Sequence, residues 1–396
     1  METYKRLNRW LRVIQFTYLA AFASFINYYA LYLDSVGFSE FKIGVISAAG
    51  AVLMLTVQPV LGKLLDRTQN FRQIVRIALI AVAVGVAATP FLKSLVFLQL
   101  LIIIVLFALL KQFVSVFDLW TYQLRAEYPQ VEYGSTRALG SLGEGLATFA
   151  VGYLIAWFGF GTMFAVTVVL LMVTLYAGMQ LPDPSKANKP EAKGATKEKA
   201  KVKVVWTKQL FFYIGSFLVL KTAITLISTF SSLMVQNLGF GSEWYGMIIL
   251  ACGILELPVF VMLGKWCQGN KTRMWYQLCL LMGIIGSLMV ALATNMPVFV
   301  VGRLALTVVY AMYTVINLEH VKNMVDPGHQ SQVILTIAAF SNSVSYIVSS
   351  LLGGYILEMG TPKMMAITMV IIFGMSFLLH FGGFARRKQT NPAEKK

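Results

Sequence analysis

Shifted against itself by 202 residues, the chain repeats its own landmarks: Gly37-Phe38 recurs at Gly239-Phe240, Gly44 at Gly246, Gly62-Lys63 at Gly264-Lys265, and Gly152-Tyr153 at Gly354-Tyr355. Two copies of one unit must fold as two like units, with equivalent positions in equivalent surroundings. The unit is built of apolar runs of about 20 residues, the length a helix needs to cross a bilayer. They fall at 13–33, 43–65, 74–92, 95–121, 136–158 and 162–181, then at 209–234, 244–264, 274–293, 297–321, 332–357 and 364–385. The expected fold is an all-α membrane protein: twelve transmembrane helices in two pseudo-symmetric six-helix bundles. Residues 1–181 would form the first bundle, 182–208 a basic linker, 209–385 the second bundle and 386–396 a tail. Duplicated bundles of this kind commonly move a solute through the seam between their halves.

Composition supports the lipid solvent. With 58% hydrophobic and 13% charged residues, a soluble domain would carry a largely apolar surface. The net charge of +16 does not imply a nucleic-acid partner, because it is sorted by side. Of the Lys and Arg residues, only Lys42, Lys93 and Lys363 fall on the face away from the termini, and only Lys111, Lys221 and Arg303 fall inside helices. The positive-inside rule then puts both termini in the cytoplasm of a multi-pass cell-membrane protein. The charged stretch Met1–Arg12 precedes a long apolar run without a small-residue cleavage pattern, so the first helix is expected to stay in place. Cys252, Cys267 and Cys279 indicate neither a disulfide framework nor a metal cluster. Pro182–Lys208, with eight lysines, reads as a solvated tether.

Between the second and third spans stands Gly62-Lys-Leu-Leu-Asp66-Arg67, followed by Arg72. A glycine lets helices approach, and an acid-base pair at the membrane surface can bridge helix ends in one conformation and release them in another, so Gly62, Asp66 and Arg67 are candidate gating residues. Gly264-Lys-Trp-Cys-Gln268 keeps the glycine and loses the acid. The arrangement resembles the loop signature of the major facilitator superfamily. Within it, Glu132-Tyr-Gly-Ser-Thr-Arg137-Ala-Leu-Gly140-Ser-Leu-Gly143, together with Asp118 and Glu256-Leu257-Pro258, resembles the lactose permease-like branch of oligosaccharide and nucleoside proton symporters. That resemblance implies an arginine that contacts sugar at Arg137. Glu144 stands where the lactose permease pattern has a sugar-stacking tryptophan, so galactoside binding of the familiar kind is not implied.

Charges inside a helix cost several kcal/mol unless paired or hydrated, and in a transporter they mark function. The spans carry Lys111, Asp118, Arg137, Glu144, Lys221, Glu256, Arg303, Glu319 and His320. Lys111/Asp118 and Arg137/Glu144 are each seven residues apart, on one helical face. Four bases against four acids favour an uncharged or zwitterionic substrate. Arg137, Glu144, Asp118, Lys221 and Asn27 are the candidate substrate-binding residues. Glu256, with Glu319 and His320 as a relay, is the candidate proton-coupling set, since a carboxylate paired in one state and desolvated in another changes its proton affinity. Each has a structural alternative: Arg137 could close a charge pair with Asp118 or Glu144, and Lys111 and Lys221 could snorkel. Helix seven's stripe of Lys221, Thr225, Ser228, Thr229 and Ser232 suits either a polyhydroxylated solute or helix packing.

The sequence holds no ATP-binding loop, metal-ligand spacing or nucleophile elbow. The expectation is a non-enzyme that needs no cofactor and is driven by a proton gradient. It would act as a monomer in the lipid bilayer, taking up a small neutral polar solute (sugar or oligosaccharide, next nucleoside) with protons by alternating access. A proton-coupled exporter of drugs or amphiphilic lipids is the alternative on the same fold; a non-transporting membrane sensor is the alternative from another class.

Overall fold

The computed structural model describes residues 2–68, 70–92, 94–184, 208–266, 272–322 and 330–384; at 2–3, 66, 126, 133–135, 208–209, 261, 264–265, 318–322, 330–339 and 383–384 it describes the backbone alone. In the first copy, α1 (Glu2–Ile26) and α2 (Tyr29–Ser35) form one span broken at Asn27-Tyr28. They are followed by α3 (Glu40–Thr68), α4 (Phe71–Ala88, extended by a 3-10 turn at Thr89–Leu92), α5 (Val96–Glu127), α6 (Tyr133–Phe158) and α7 (Gly161–Met179). The second copy holds α8 (Lys208–Asn237), α9 (Ser242–Trp266), α10 (Thr272–Ala291), α11 (Met296–Lys322), α12 (Gln330–Met359) and α13 (Pro362–Phe384). With α1 and α2 counted together, these are the twelve spans the sequence predicts, and no strand occurs among the described residues. Ten of the helices are long and apolar enough to cross a membrane among the described residues. The linker at 182–208 lies almost wholly outside the described residues, as does Cys267; Cys252 and Cys279 are buried.

The described chain packs as two compact units whose borders differ from the repeat boundary. Unit 1 joins the first copy to Leu226–Pro258 and Tyr346–Pro362, the halves of α8, α9 and α12 that lie away from the termini. Inside it α1 packs on α6 and α7, α3 on α5, and α4 on α7. Unit 2 holds the rest of α8, α9 and α12 with α10, α11 and α13. Its interior is knit by hydroxyls: Ser216 Oγ lies 3.0 Å from the Tyr276 hydroxyl and 2.9 Å from Ser376 Oγ, and Tyr213 donates to Asn317 Oδ1 at 2.9 Å.

The glycines that reveal the duplication also build the joint between the copies inside unit 1. A Cβ on Gly152 would stand 2.5 Å from the Ser242 carbonyl oxygen, and one on Gly354 2.6 Å from that of Glu40. Ser242 and Glu40 are themselves 202 residues apart. The same holds in reverse: a Cβ on Gly246 would strike the carbonyl of Thr148 at 2.8 Å, and one on Gly44 the carbonyl of Ser350, again a pair separated by 202. Hence α6 crosses α9 as α12 crosses α3, backbone against backbone, which only glycine permits. The loops before these crossings turn at Gly37 (φ 91°) and Gly239 (φ 84°), a left-handed conformation that side chains resist. Near the joint, Gln236 Nε2 donates to Asp34 Oδ2 at 3.0 Å, and these two residues are also equivalent under the shift, so the pseudo-axis of unit 1 passes between them. Farther along this side, the Phe41 N–H donates to Glu358 Oε2 at 2.9 Å. Within unit 1 the seam between copies is therefore closed on the side away from the termini.

Gly62 behaves otherwise. A Cβ there would meet nothing within 4 Å among the described residues, whereas Gly44 and Gly246 sit at close helix crossings.

Candidate functional site

The heart of unit 1 is where α1, α5 and α6 meet. α1 and α6 touch because α6 presents Gly140 and Gly143: a Cβ on the former would strike Leu19, and on the latter the Phe16 carbonyl. The spaced glycines after Arg137 thus have a packing cause, and their consequence is electrostatic. They bring Gln15 of α1 and Arg137 of α6 onto Asp118 of α5. Gln15 Nε2 donates to Asp118 Oδ1 at 2.9 Å, and Asp118 Oδ2 lies 3.8 Å from Arg137 Nε. At that separation the ions attract without a formed hydrogen bond, and both side chains keep part of their surface open, 36% for Arg137 and 28% for Asp118. Of the two partners the sequence allows Arg137, the ion pair is with Asp118.

Farther along α6, Glu144 is half-buried, with Arg137 and Lys111 both within electrostatic reach of its carboxylate. Its own carbonyl accepts from Thr148 Oγ1 at 2.7 Å, and Thr148 Oγ1 in turn accepts from Asn27 Nδ2 at 2.8 Å. Asn27 sits at the break between α1 and α2, so this chain of bonds pins the break to α6. The adjoining Tyr28 reinforces it, donating to the Thr148 carbonyl at 2.6 Å.

Lys111 does not snorkel. Its ammonium stays mid-span on α5, donating to the Tyr346 hydroxyl of α12 at 2.8 Å. Three rings surround it, with centroids at 4.1 Å (Tyr346), 4.9 Å (Phe107) and 5.5 Å (Phe22). Such contacts are worth roughly 0.5–2 kcal/mol each, the larger figure when desolvated. Lys221 belongs to unit 2, where it bonds Asn342 Oδ1 and lies 5.8 Å from the Phe217 ring, so neither lysine is within ion-pair distance of a carboxylate among the described residues. Arg303, 8% exposed, donates to Thr307 Oγ1 at 3.1 Å.

The structure thus brings together Asp118, Arg137, Glu144 and, through Thr148, Asn27. Glu256 is half-buried on α9, two residues before Pro258. Glu319 and His320 lie on α11 with side chains outside the described residues, as does the side chain of Asp66 on α3; Arg67 is exposed. Arg72 is a tie between helices: its N–H donates to Asp183 Oδ1 at 2.8 Å and its guanidinium to the Leu181 carbonyl, fixing α4 to the end of α7. A cavity of about 200 Å³ opens beside the Asp34–Gln236 bond, lined by Leu31, Ser35, Ile155, Ser232 and Phe240, apart from the charged cluster.

Sequence reasoning missed Gln15, Thr148, Tyr346 and His380. The first three are neutral polar residues on apolar helices and carry no charge signal, although the 202-residue shift maps Glu144 onto Tyr346. His380 is 1% exposed and lies 4.7 Å from the Tyr276 ring inside unit 2.

Twelve spans in two equivalent copies, with Asp118 of α5 paired to Arg137 of α6, are the architecture of a polytopic membrane protein whose family decides its class. The MFS_1 like family matches residues 8–385, and the chain belongs to it, within the major facilitator superfamily. Among solved structures, a mutant form of the nucleoside transporter NupG superposes with a TM-score of 0.83 at 13% identity, covering 96% of this chain and 100% of that one. A bacterial homologue of the iron transporter ferroportin gives 0.75 at 12% identity, covering 96% and 99%. The D-xylose-proton symporter gives 0.69 at 14%, covering 96% and 98%. A comparison with curated protein sequences finds no match.

Proposed function

We propose that the protein takes up a small neutral polar solute, a sugar or oligosaccharide before a nucleoside, in symport with protons by alternating access. The observation that carries this reading is the charge balance at the meeting of α1, α5 and α6: Asp118 and Glu144 face Arg137 and Lys111, two acids against two bases. A site for an organic anion or cation would carry an unmatched charge of the opposite sign. Gln15, Asn27 and Thr148 add neutral hydrogen-bonding groups of the kind a polyhydroxylated solute needs. Two fold neighbours are a nucleoside transporter and a D-xylose-proton symporter, solutes that such groups suit.

In this reading Arg137 and Glu144, with Asp118, Asn27 and Lys221, bind substrate. Glu256, with Glu319 and His320, carries the coupled proton. Gly62, Asp66 and Arg67 act in gating. The chain works as a monomer in the cell membrane with both termini in the cytoplasm, and the gradient is its only energy source. The test is external pH recorded in lightly buffered, de-energised cells while disaccharides, monosaccharides and nucleosides are added singly. Alkalinisation with one solute class, lost in Arg137→Ala, is expected; silence across the panel, or acidification, overturns the reading.

A further inference from the structure

Lys111 stands between two residues that the duplication makes equivalent. Glu144 shifted by 202 is Tyr346, and the helices that carry them, α6 and α12, make the equivalent crossings at Gly152 and Gly354. Only one of the two holds the ammonium here: Tyr346 accepts its hydrogen bond at 2.8 Å and offers the nearest ring face at 4.1 Å. Glu144 feels Lys111 and Arg137 without an ion pair to either among the described residues.

We propose that Lys111 is the partner-exchange residue of the transport cycle, held by Tyr346 while the seam is closed on the side away from the termini and handed to Glu144 when that side opens. The topology forces the exchange. Lys111, Phe22, Phe107 and Glu144 all belong to the first copy, whereas Tyr346 belongs to the second. Parting the copies along α3/α12 and α6/α9 withdraws α12, and with it the hydrogen bond and the closest ring. An ammonium left at mid-span must find another partner or bear a cost of several kcal/mol, and Glu144 is a first-copy carboxylate on which its charge already acts. One ammonium cannot serve both residues, so seam position and the availability of Glu144 to solute or proton become linked. The inference depends on the seam opening in turn, as in the proposed cycle, and not on which solute or ion is carried.

The test uses the full chain with Cys252, Cys267 and Cys279 replaced by serine and the pair Asp34→Cys/Gln236→Cys introduced, whose parent side chains meet at 3.0 Å across the seam. The initial rate of oxidative crosslinking in detergent, on monodisperse protein, reports the closed fraction. Tyr346→Phe keeps the ring and removes the acceptor, and it is expected to lower the closed-to-open ratio about five-fold, the effect of one hydrogen bond, and so to slow crosslinking by up to that factor. Adding Glu144→Gln should restore the rate by removing the competing partner, and in a Lys111→Gln background both changes should be without effect. A Tyr346→Phe rate equal to the parent's overturns the proposal. So does a slowing that persists without Lys111, or a Glu144→Gln change that slows crosslinking further. A parent pair that does not crosslink would remove the closed seam on which the exchange depends. Because this readout needs neither solute nor gradient, its failure is distinct from silence in the pH recording.

Discussion

Asp118 and Arg137 tie α5 to α6 at the centre of the proposed substrate site. Their 3.8 Å separation and partial exposure make the pair weaker than a buried bidentate one, and Gln15 holds the carboxylate in place from a third helix. Removing one partner should cost more than removing both, because it strands the other charge inside the membrane. Asp118→Asn alone is expected to destabilise the protein by about 1–2 kcal/mol, below the figure for a fully buried pair because solvent screens the half-open site. Arg137→Gln alone should do the same, while the double substitution should lie nearer the parent. Thermal unfolding in detergent of the four proteins measures this directly. A double variant as unstable as the sum of the singles would mean that the two residues act independently.

At the scale of helices, the glycines divide into those that a crossing demands and those that it does not. Gly246 lies under the Thr148 carbonyl, whereas Gly253, two turns on along the same helix, has no described neighbour within 4 Å of where a Cβ would go. Gly246→Val should therefore part α9 from α6 and expose the joint, so that a cysteine placed at Ser232, buried beside the joint, reacts about ten-fold faster, or more, with a membrane-impermeant maleimide. Gly253→Ala should leave that rate unchanged and gain up to about 1 kcal/mol of helix stability. The spans and the crossing glycines are legible in the repeated sequence, because apolar length and close approach each demand one residue type. The break at Asn27-Tyr28 is not: nothing in the local pattern separates it from a continuous span, and it is held by Thr148 and Tyr28 contacts made to a distant helix. The site is legible to the extent that charge marks it. Lys111, Asp118, Arg137 and Glu144 stand out in an apolar sequence, but which acid meets which base depends on how closely α1 and α6 pack, and Gln15 and Tyr346 are silent until the helices are placed.

For the whole molecule, the proposed cycle makes the seam within unit 1 an equilibrium, and the groups that bridge it outside the bilayer should make that equilibrium depend on pH. Glu358 lies just beyond the predicted span of α12. Its exposed carboxylate accepts from the Ser39 side chain and the Phe41 N–H, with Lys42 nearby, and these together hold it below the ordinary carboxylate range. Opening the seam removes the bonds to Ser39 and Phe41, and the group returns toward its ordinary value. A carboxylate whose proton affinity is lower in the closed form favours closure when ionised. The contribution is present in full above the ordinary carboxylate value of about 4.3 and is lost as the pH falls through the depressed one. Spin labels at Asp34→Cys and Gln236→Cys should then show one short distance at neutral pH and a growing longer component as the medium is brought below about pH 4. Glu358→Gln keeps an acceptor for both donors but cannot titrate, so its distance distribution should not change over the same interval. A long component that grows equally in both proteins would assign the acid response to another group.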